Sequence, residues 1–204
     1  MLPVSILISP FVMSVNEKKT KPLLVVLCGL IGTGKSTLAA ALSDATGFQV
    51  LRSDELRKGI AGLDREDHKY EPFGEGIYSS EFFDATYKVL LEEALSMLGK
   101  GDGVILDASF KKEKYRSEAR DIADSLKTPF LLIECRCPDE VIKERLIKRE
   151  REGTDISDGR WPVFLKQKSD FENITEISKR EHLIVNTDKP LDDNLKKILR
   201  VIDN

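Results

Sequence analysis

The most specific chemistry in the chain lies in one short stretch. Gly29-Leu30-Ile31-Gly32-Thr33-Gly34-Lys35-Ser36 fits the pattern G-x-x-x-x-G-K-[ST], a phosphate-binding loop. Its glycines let the backbone curl until several N–H groups converge on one anion. A helix opening behind the loop adds the positive end of its dipole. Lys35 can then reach the β- and γ-phosphates of a nucleoside triphosphate, and the Ser36 hydroxyl can ligate Mg²⁺. Thr37 extends the nucleotide-facing set onto the helix. A chance glycine-rich turn would lack the strand before and the helix behind that this stretch has.

Two aspartates and two arginines complete the candidate set. Asp107 closes Val104-Ile105-Leu106-Asp107, and Asp54 follows Arg52-Ser53. A carboxylate after an apolar strand beside such a loop is suited to hold Mg²⁺, directly or through water, and that role goes to Asp107. Asp54 can accept a proton from a substrate hydroxyl as its oxygen attacks the γ-phosphorus. The plainer alternatives are an N-cap for a helix over 55–60 and, for Asp107, a surface turn. Arg145 and Arg149 stand four apart in Lys143-Glu144-Arg145-Leu146-Ile147-Lys148-Arg149, on one helical face. Each guanidinium offers a planar fork of donors suited to phosphate oxygens. A polar, glycine-punctuated loop follows at 153–160, so 145–160 reads as a lid, with Arg145 on the nucleotide and Arg149 in catalysis. Without the phosphate loop upstream, a solvated face of Glu–Arg pairs would be the preferred reading. Trp161 is expected to pack the lid; His68 and His182 carry no assigned role.

The elements that must position these residues alternate. Apolar runs predict strands over 23–28, 48–52, 103–106, 129–135 and 182–185, with helices over 35–46, 80–98, 111–126 and 138–150 and a last one over about 191–202. The 80–98 helix carries Phe83, Tyr87, Leu91, Ala94, Leu95 and Leu98 on one stripe, ended by Gly99 and Gly101. Such alternation implies an α/β fold whose mostly parallel sheet is covered on both faces. In these sheets ligands bind at the carboxyl ends of the strands, which brings Asp54 and Asp107 to the rim of the phosphate loop.

The chain has 204 residues, 41% hydrophobic and 33% charged, which suits one core-forming domain. A net charge of −3 gives no support for a nucleic-acid partner. Cys28, Cys135 and Cys137 complete no zinc pattern and read as thiols in a reducing, cytoplasmic compartment. Residues 1–20 differ in character. Their apolar part, broken by Pro3 and Pro10, is too short to span a bilayer and lacks a basic lead-in. A disordered leader is expected there, with Met13 as a possible initiator and 21–204 as a single domain.

On residues 29–37, on Ser53-Asp54-Glu55 with Arg57 and Lys58, on residues 104–110, and on Arg145-Leu146 with Arg149, the chain resembles small P-loop kinases of the group that contains polynucleotide kinases and zeta toxins. Gly76-Ile77-Tyr78-Ser79 and Ser157-Asp158-Gly159-Arg160-Trp161 resemble an uncharacterised "predicted kinase" branch of the AAA type, often fused to an aminoglycoside-phosphotransferase-like domain; none is expected within these 204 residues. The resemblance covers about residues 22–190. It implies a three-layer P-loop NTPase fold with strand order 2-3-1-4-5, Asp54 as base, Asp107 as the second acidic residue, and Arg145 and Arg149 as lid residues. Arg52-Ser53-Asp54 departs from the paired aspartates of phage-type polynucleotide kinases, which points away from a nucleic-acid 5′-hydroxyl.

The expected protein is an ATP- and Mg²⁺-dependent phosphotransferase acting on a hydroxyl of a small-molecule or nucleotide-type acceptor, a monomer or weak homo-oligomer with no membrane partner. The acceptor is expected between 54 and 80, near Arg57, Lys58, Tyr70 and Tyr78. The alternatives are a nucleic-acid-end kinase, a zeta-type nucleotide-sugar kinase, and a P-loop switch that hydrolyses slowly.

Overall fold

The run at 23–28 forms β1 (Leu24–Cys28), fully buried at the centre of a parallel sheet. The structure is a computed structural model that describes residues 21–63, 79–152 and 160–203. The leader, His68, Tyr70, Tyr78 and the loop at 153–159 lie outside the described residues.

Behind β1 come α1 (Lys35–Thr46), β2 (Gln49–Arg52), α2 (Ser53–Ile60), α3 (Ser80–Gly99), β3 (Val104–Asp107), α4 (Glu113–Ser125) and β4 (Phe130–Arg136). Then follow α5 (Asp139–Glu152), α6 (Trp161–Asp170), β5 (His182–Asn186) and α7 (Leu191–Ile202). The sheet order is β2-β3-β1-β4-β5 and all four pairings are parallel, as the resemblance implied.

Side-chain alternation along the strands makes the three layers. Leu24, Val26, Leu106 and Leu132 turn to one face and pack with Tyr87, Leu90 and Ala94 of α3 and Tyr115 and Ala119 of α4. Val25, Leu27, Ile105 and Ile133 turn to the other and meet Leu38 and Leu42 of α1 and Ile198 of α7. Strands buried on both faces must be apolar throughout, which is why they read as continuous runs.

Three local expectations change. Leu95 is 41% exposed, and Leu90 takes its place on the buried stripe of α3. One residue past Ala94, Leu95 is rotated by about 100° from the core-facing direction. α2 starts at Ser53, with Arg52 at the N-cap and no capping side chain, so Asp54 sits in the first turn and is not the cap. α6 was not expected as a helix. It opens with Trp161, has Pro162 in its first turn, and stacks Trp161 on Phe164 at 4.9 Å, beside Ile142 and Leu146 of α5.

Candidate active site

The phosphate loop leaves β1 through Gly29 at φ +142°, where a Cβ would come within 2.6 Å of the Cys135 carbonyl oxygen. Gly34, at φ +84°, is the N-cap of α1, and no side chain caps it. The first turn of α1 is therefore open to an anion. Inside the loop, the Thr33 hydroxyl and the Lys35 ammonium both donate to the Leu30 carbonyl, at 2.7 and 2.9 Å. Two tethers hold it from outside. The Ile31 N–H donates to Gln167 Oε1 at 2.9 Å, and the Thr187 hydroxyl donates to the Thr33 carbonyl at 2.6 Å.

At the adjoining strand ends, parallel pairing sets Arg52 of β2 beside Asp107 of β3, with Arg52 Nε 3.3 Å from Asp107 Oδ2. Ser36 also favours the charged form of the same carboxylate. Burial pushes the Asp107 carboxyl above its ordinary value; Lys35, Ser36 and Arg52 pull it back, and Asp54 adds to the rise. Asp54 lies on the same rim. Burial would raise it too, but Arg57, whose Nη1 donates to Asp54 Oδ1 at 2.6 Å, outweighs that and holds it below the usual carboxylate range, with Lys35 and Arg52 contributing. Lys35 thus acts on both aspartates, which the sequence placed 53 residues apart. Ser36 and Asp107 together offer a hydroxyl and a carboxylate, hard oxygen donors that fit Mg²⁺ beside phosphate oxygens.

α5 lies against the loop through Ile142 and Leu146, which pack with Leu30, Ile31 and Phe164. That seating brings Arg145 to the phosphate loop and the turn after β5. Its Nη2 donates to the Thr187 carbonyl at 2.8 Å, and Nη1 lies 3.5 Å from the Gly32 carbonyl. Arg145 and Arg149 line a cleft of about 580 Å³ together with Gly34, Thr37, Thr187 and Asn194. The turn after β5 was missed in the sequence. The same carboxyl-end rule that selected Asp54 and Asp107 would have selected Thr187-Asp188-Lys189, had it been applied to the last strand. Gln167 carried no such signal, since its helix was not expected.

The sheet order, the glycine loop and the helix opening at Lys35 define the fold of a P-loop kinase. Residues 24–174 match the family model described as "AAA domain", and the chain belongs to that family. An uncharacterised protein of Mycobacterium tuberculosis is 29% identical over 134 residues, 66% of this chain. The chain spans only 27% of that relative's length. A shikimate kinase of Thermodesulfovibrio yellowstonii is 27% identical over 135 residues, 61% of this chain and 77% of its own. Among solved structures, a sugar kinase from Janibacter sp. superposes with a TM-score of 0.65 at 21% identity, covering 90% of this chain and 95% of that one. A likeness at that identity concerns the fold. Among the described residues no helix is long and apolar enough to cross a membrane.

Proposed function

We propose that this chain is an ATP-dependent phosphotransferase that moves the γ-phosphoryl group to a hydroxyl of a small-molecule or nucleotide-type acceptor. One observation carries the reading: the phosphate loop opens α1 at Lys35, and on the neighbouring strands Arg52 at the end of β2 stands 3.3 Å from Asp107 at the end of β3, so Asp54 and Asp107 both lie at carboxyl strand ends on the loop's side of the sheet. A slow P-loop switch has no use for a second carboxylate held apart from the metal donors.

The backbone amides from Gly32 to Ser36 cradle the phosphates. Lys35 exchanges the Leu30 carbonyl for phosphate oxygens. The nucleoside lies in the cleft beside Thr37 and Thr187, under Arg145. Arg149 neutralises charge developing on the transferred group, an electrostatic contribution. Ser36 and Asp107 would hold Mg²⁺, which when bound supplies charge neutralisation on the phosphates. Asp54 takes the hydrogen bond of the acceptor hydroxyl and orients its oxygen. α5 and the residues to 160 act as the lid that excludes water. Residues 21–204 work as one domain. The motifs at 53–58 and 104–110 favour the polynucleotide kinase and zeta toxin-like group, with a metabolite acceptor in a cytoplasmic setting. The names of the relatives, a shikimate kinase and a sugar kinase, support a small polyhydroxylated acceptor.

The test is incubation with γ-labelled ATP, Mg²⁺ and a panel of sugars, sugar acids, nucleosides, nucleotide sugars and oligonucleotides, alongside Lys35→Ala. The parent should label a small-molecule hydroxyl and the folded variant should not. Equal labelling by both, or ATP hydrolysis with no labelled product on any acceptor, would sink the reading.

A further inference from the structure

Arg52 closes β2 and is also the N-cap residue of α2, so its side chain serves two elements. Parallel pairing sets its Cα opposite that of Asp107, and residues in register on neighbouring strands turn to the same face. Arg52 Nε lies 3.3 Å from Asp107 Oδ2. At its other end, Nη1 donates to Glu55 Oε1 at 3.2 Å, in the turn of α2 that also carries Asp54. One guanidinium therefore runs from the carboxylate assigned to the metal to the turn that holds the acceptor base.

Two features separate this pair from an ordinary surface ion pair. The Asp107 side chain is 4% exposed and that of Arg52 23%, so neither trades its partner freely for water. The contact is also not closed by a hydrogen bond. Arg52 Nε is buried and has no hydrogen-bond partner among the described residues, although Asp107 Oδ2 is at ion-pair distance. The N–H and the oxygen are close but out of line. A buried donor left unmet is costly, and a guanidinium fork beside a carboxylate ordinarily meets it in line. A pair serving stability alone would close. A pair whose carboxylate has a second task, toward a cation, has a physical reason to stay open. Lys35 acts on the same carboxyl. Once a triphosphate claims Lys35, Arg52 stays to hold it.

We infer that Arg52 is a positioning residue for the metal site: it acts through Asp107, fixing the direction in which that carboxylate presents an oxygen to Mg²⁺. The inference rests on the assignment of Asp107 to the metal within the kinase reading. A lysine keeps the charge but not the fork held at both ends.

Mn²⁺ is the probe, because electron paramagnetic resonance reads its free form directly. Its dissociation constant is measured on the full chain loaded with a non-hydrolysable ATP analogue, and analogue binding is measured separately in excess chelator. Arg52→Met should raise the Mn²⁺ dissociation constant about 10- to 100-fold, the usual effect of an outer partner of a metal ligand. Metal-free analogue binding should be unchanged, a split that a merely structural role would not give. Arg52→Lys should weaken Mn²⁺ by a smaller factor, and it carries the comparison if Arg52→Met does not fold. In an Asp107→Asn background, Arg52→Met should add no further loss, since the group it acts through is gone. That double variant also leaves no buried carboxylate unpaired at this position. Parent-like Mn²⁺ affinity in the Met and Lys variants overturns the inference, and so does a full further loss in the Asp107→Asn background. Weakened metal-free analogue binding would make Arg52 a phosphate contact and overturn it as well. Mn²⁺ affinity untouched by Asp107→Asn removes Asp107 from the metal, and the inference with it. Transfer from labelled ATP, read on the same preparations, shows separately whether the kinase reading stands.

Discussion

Replacing Asp54 by Asn tests the acceptor half of the mechanism with the smallest change of shape. Two things are lost: a proton acceptor, and the anionic partner of a buried guanidinium at 2.6 Å. The second loss is bounded by exposure. Asp54 is 34% exposed, so water can reach Arg57 in its place, and the Asn oxygen still accepts a hydrogen bond. A cost of about 1 kcal/mol follows, or about 2–4 °C in thermal midpoint for a chain of this size. The cost depends on pH in a defined direction. Arg57 holds the Asp54 carboxyl below its unfolded value, so its stabilisation is present above the ordinary carboxylate range and fades as pH falls through the lowered one. Parent and variant midpoints should therefore converge in acid.

The rate loss has its own magnitude. General-base contributions run at about 10²–10⁴-fold. A depressed pKa gives little driving force for early proton removal, so Asp54 acts more as an orienting acceptor in a loose transition state, and a loss near 10²-fold is expected. ATP binding should be unchanged, since Asp54 does not line the cleft formed by Thr37, Arg145 and Thr187. The assay is steady-state transfer to a working acceptor, with equilibrium ATP–Mg²⁺ binding in parallel. A parent-like transfer rate refutes the role. So does abolished ATP–Mg²⁺ binding, which would put Asp54 on the metal and Asp107 nearer the acceptor.

Two further outcomes separate neighbouring effects. Asp107→Asn should raise the Mg²⁺ concentration needed for half-maximal rate. Burial raises the folded Asp107 carboxyl, so the parent loses stability as pH rises from the ordinary carboxylate range through that raised value. The variant should lack this loss, and identical midpoint profiles from acid to neutral pH would count against the assignment. Gly32→Ala sets a Cβ 2.9 Å from Ile142 Cγ2 at φ +78°, whereas Gly47→Ala, at φ +74°, meets nothing within 4 Å. Both carry a left-handed penalty of about 1 kcal/mol, and overpacking adds about 1–3 kcal/mol at Gly32 alone. Equal drops in thermal midpoint would show that α5 does not seat on the loop.

What the sequence made legible follows from where each signal is local. The phosphate loop lies within consecutive residues, and the strands around it are apolar because they are buried on both faces, so loop and sheet could be read together. Asp54 and Asp107 needed one further rule, that ligands gather at carboxyl strand ends. The Arg57 partner of Asp54 lies one helical turn away, within reach of spacing arguments, yet nothing local said that it would hold the carboxylate down.

The rest was not legible because it depends on contacts that only the fold creates. The Ile31 N–H reaches Gln167 across 136 residues, and the Thr187 hydroxyl reaches the Thr33 carbonyl across 154. Both partners are single polar side chains on elements with weak patterns of their own. α6 is the instructive case. Its buried positions are few, Phe164 and Gln167, so no strong stripe announces it. Its contacts are nonetheless spread over the whole site: Phe164 packs with Ile142 and Leu146 behind Arg145, Gln167 holds the loop amide, and Asp170 faces Lys111. One short helix thus ties the phosphate loop, α5 and Lys111 together, and its sequence pattern gave no notice of it.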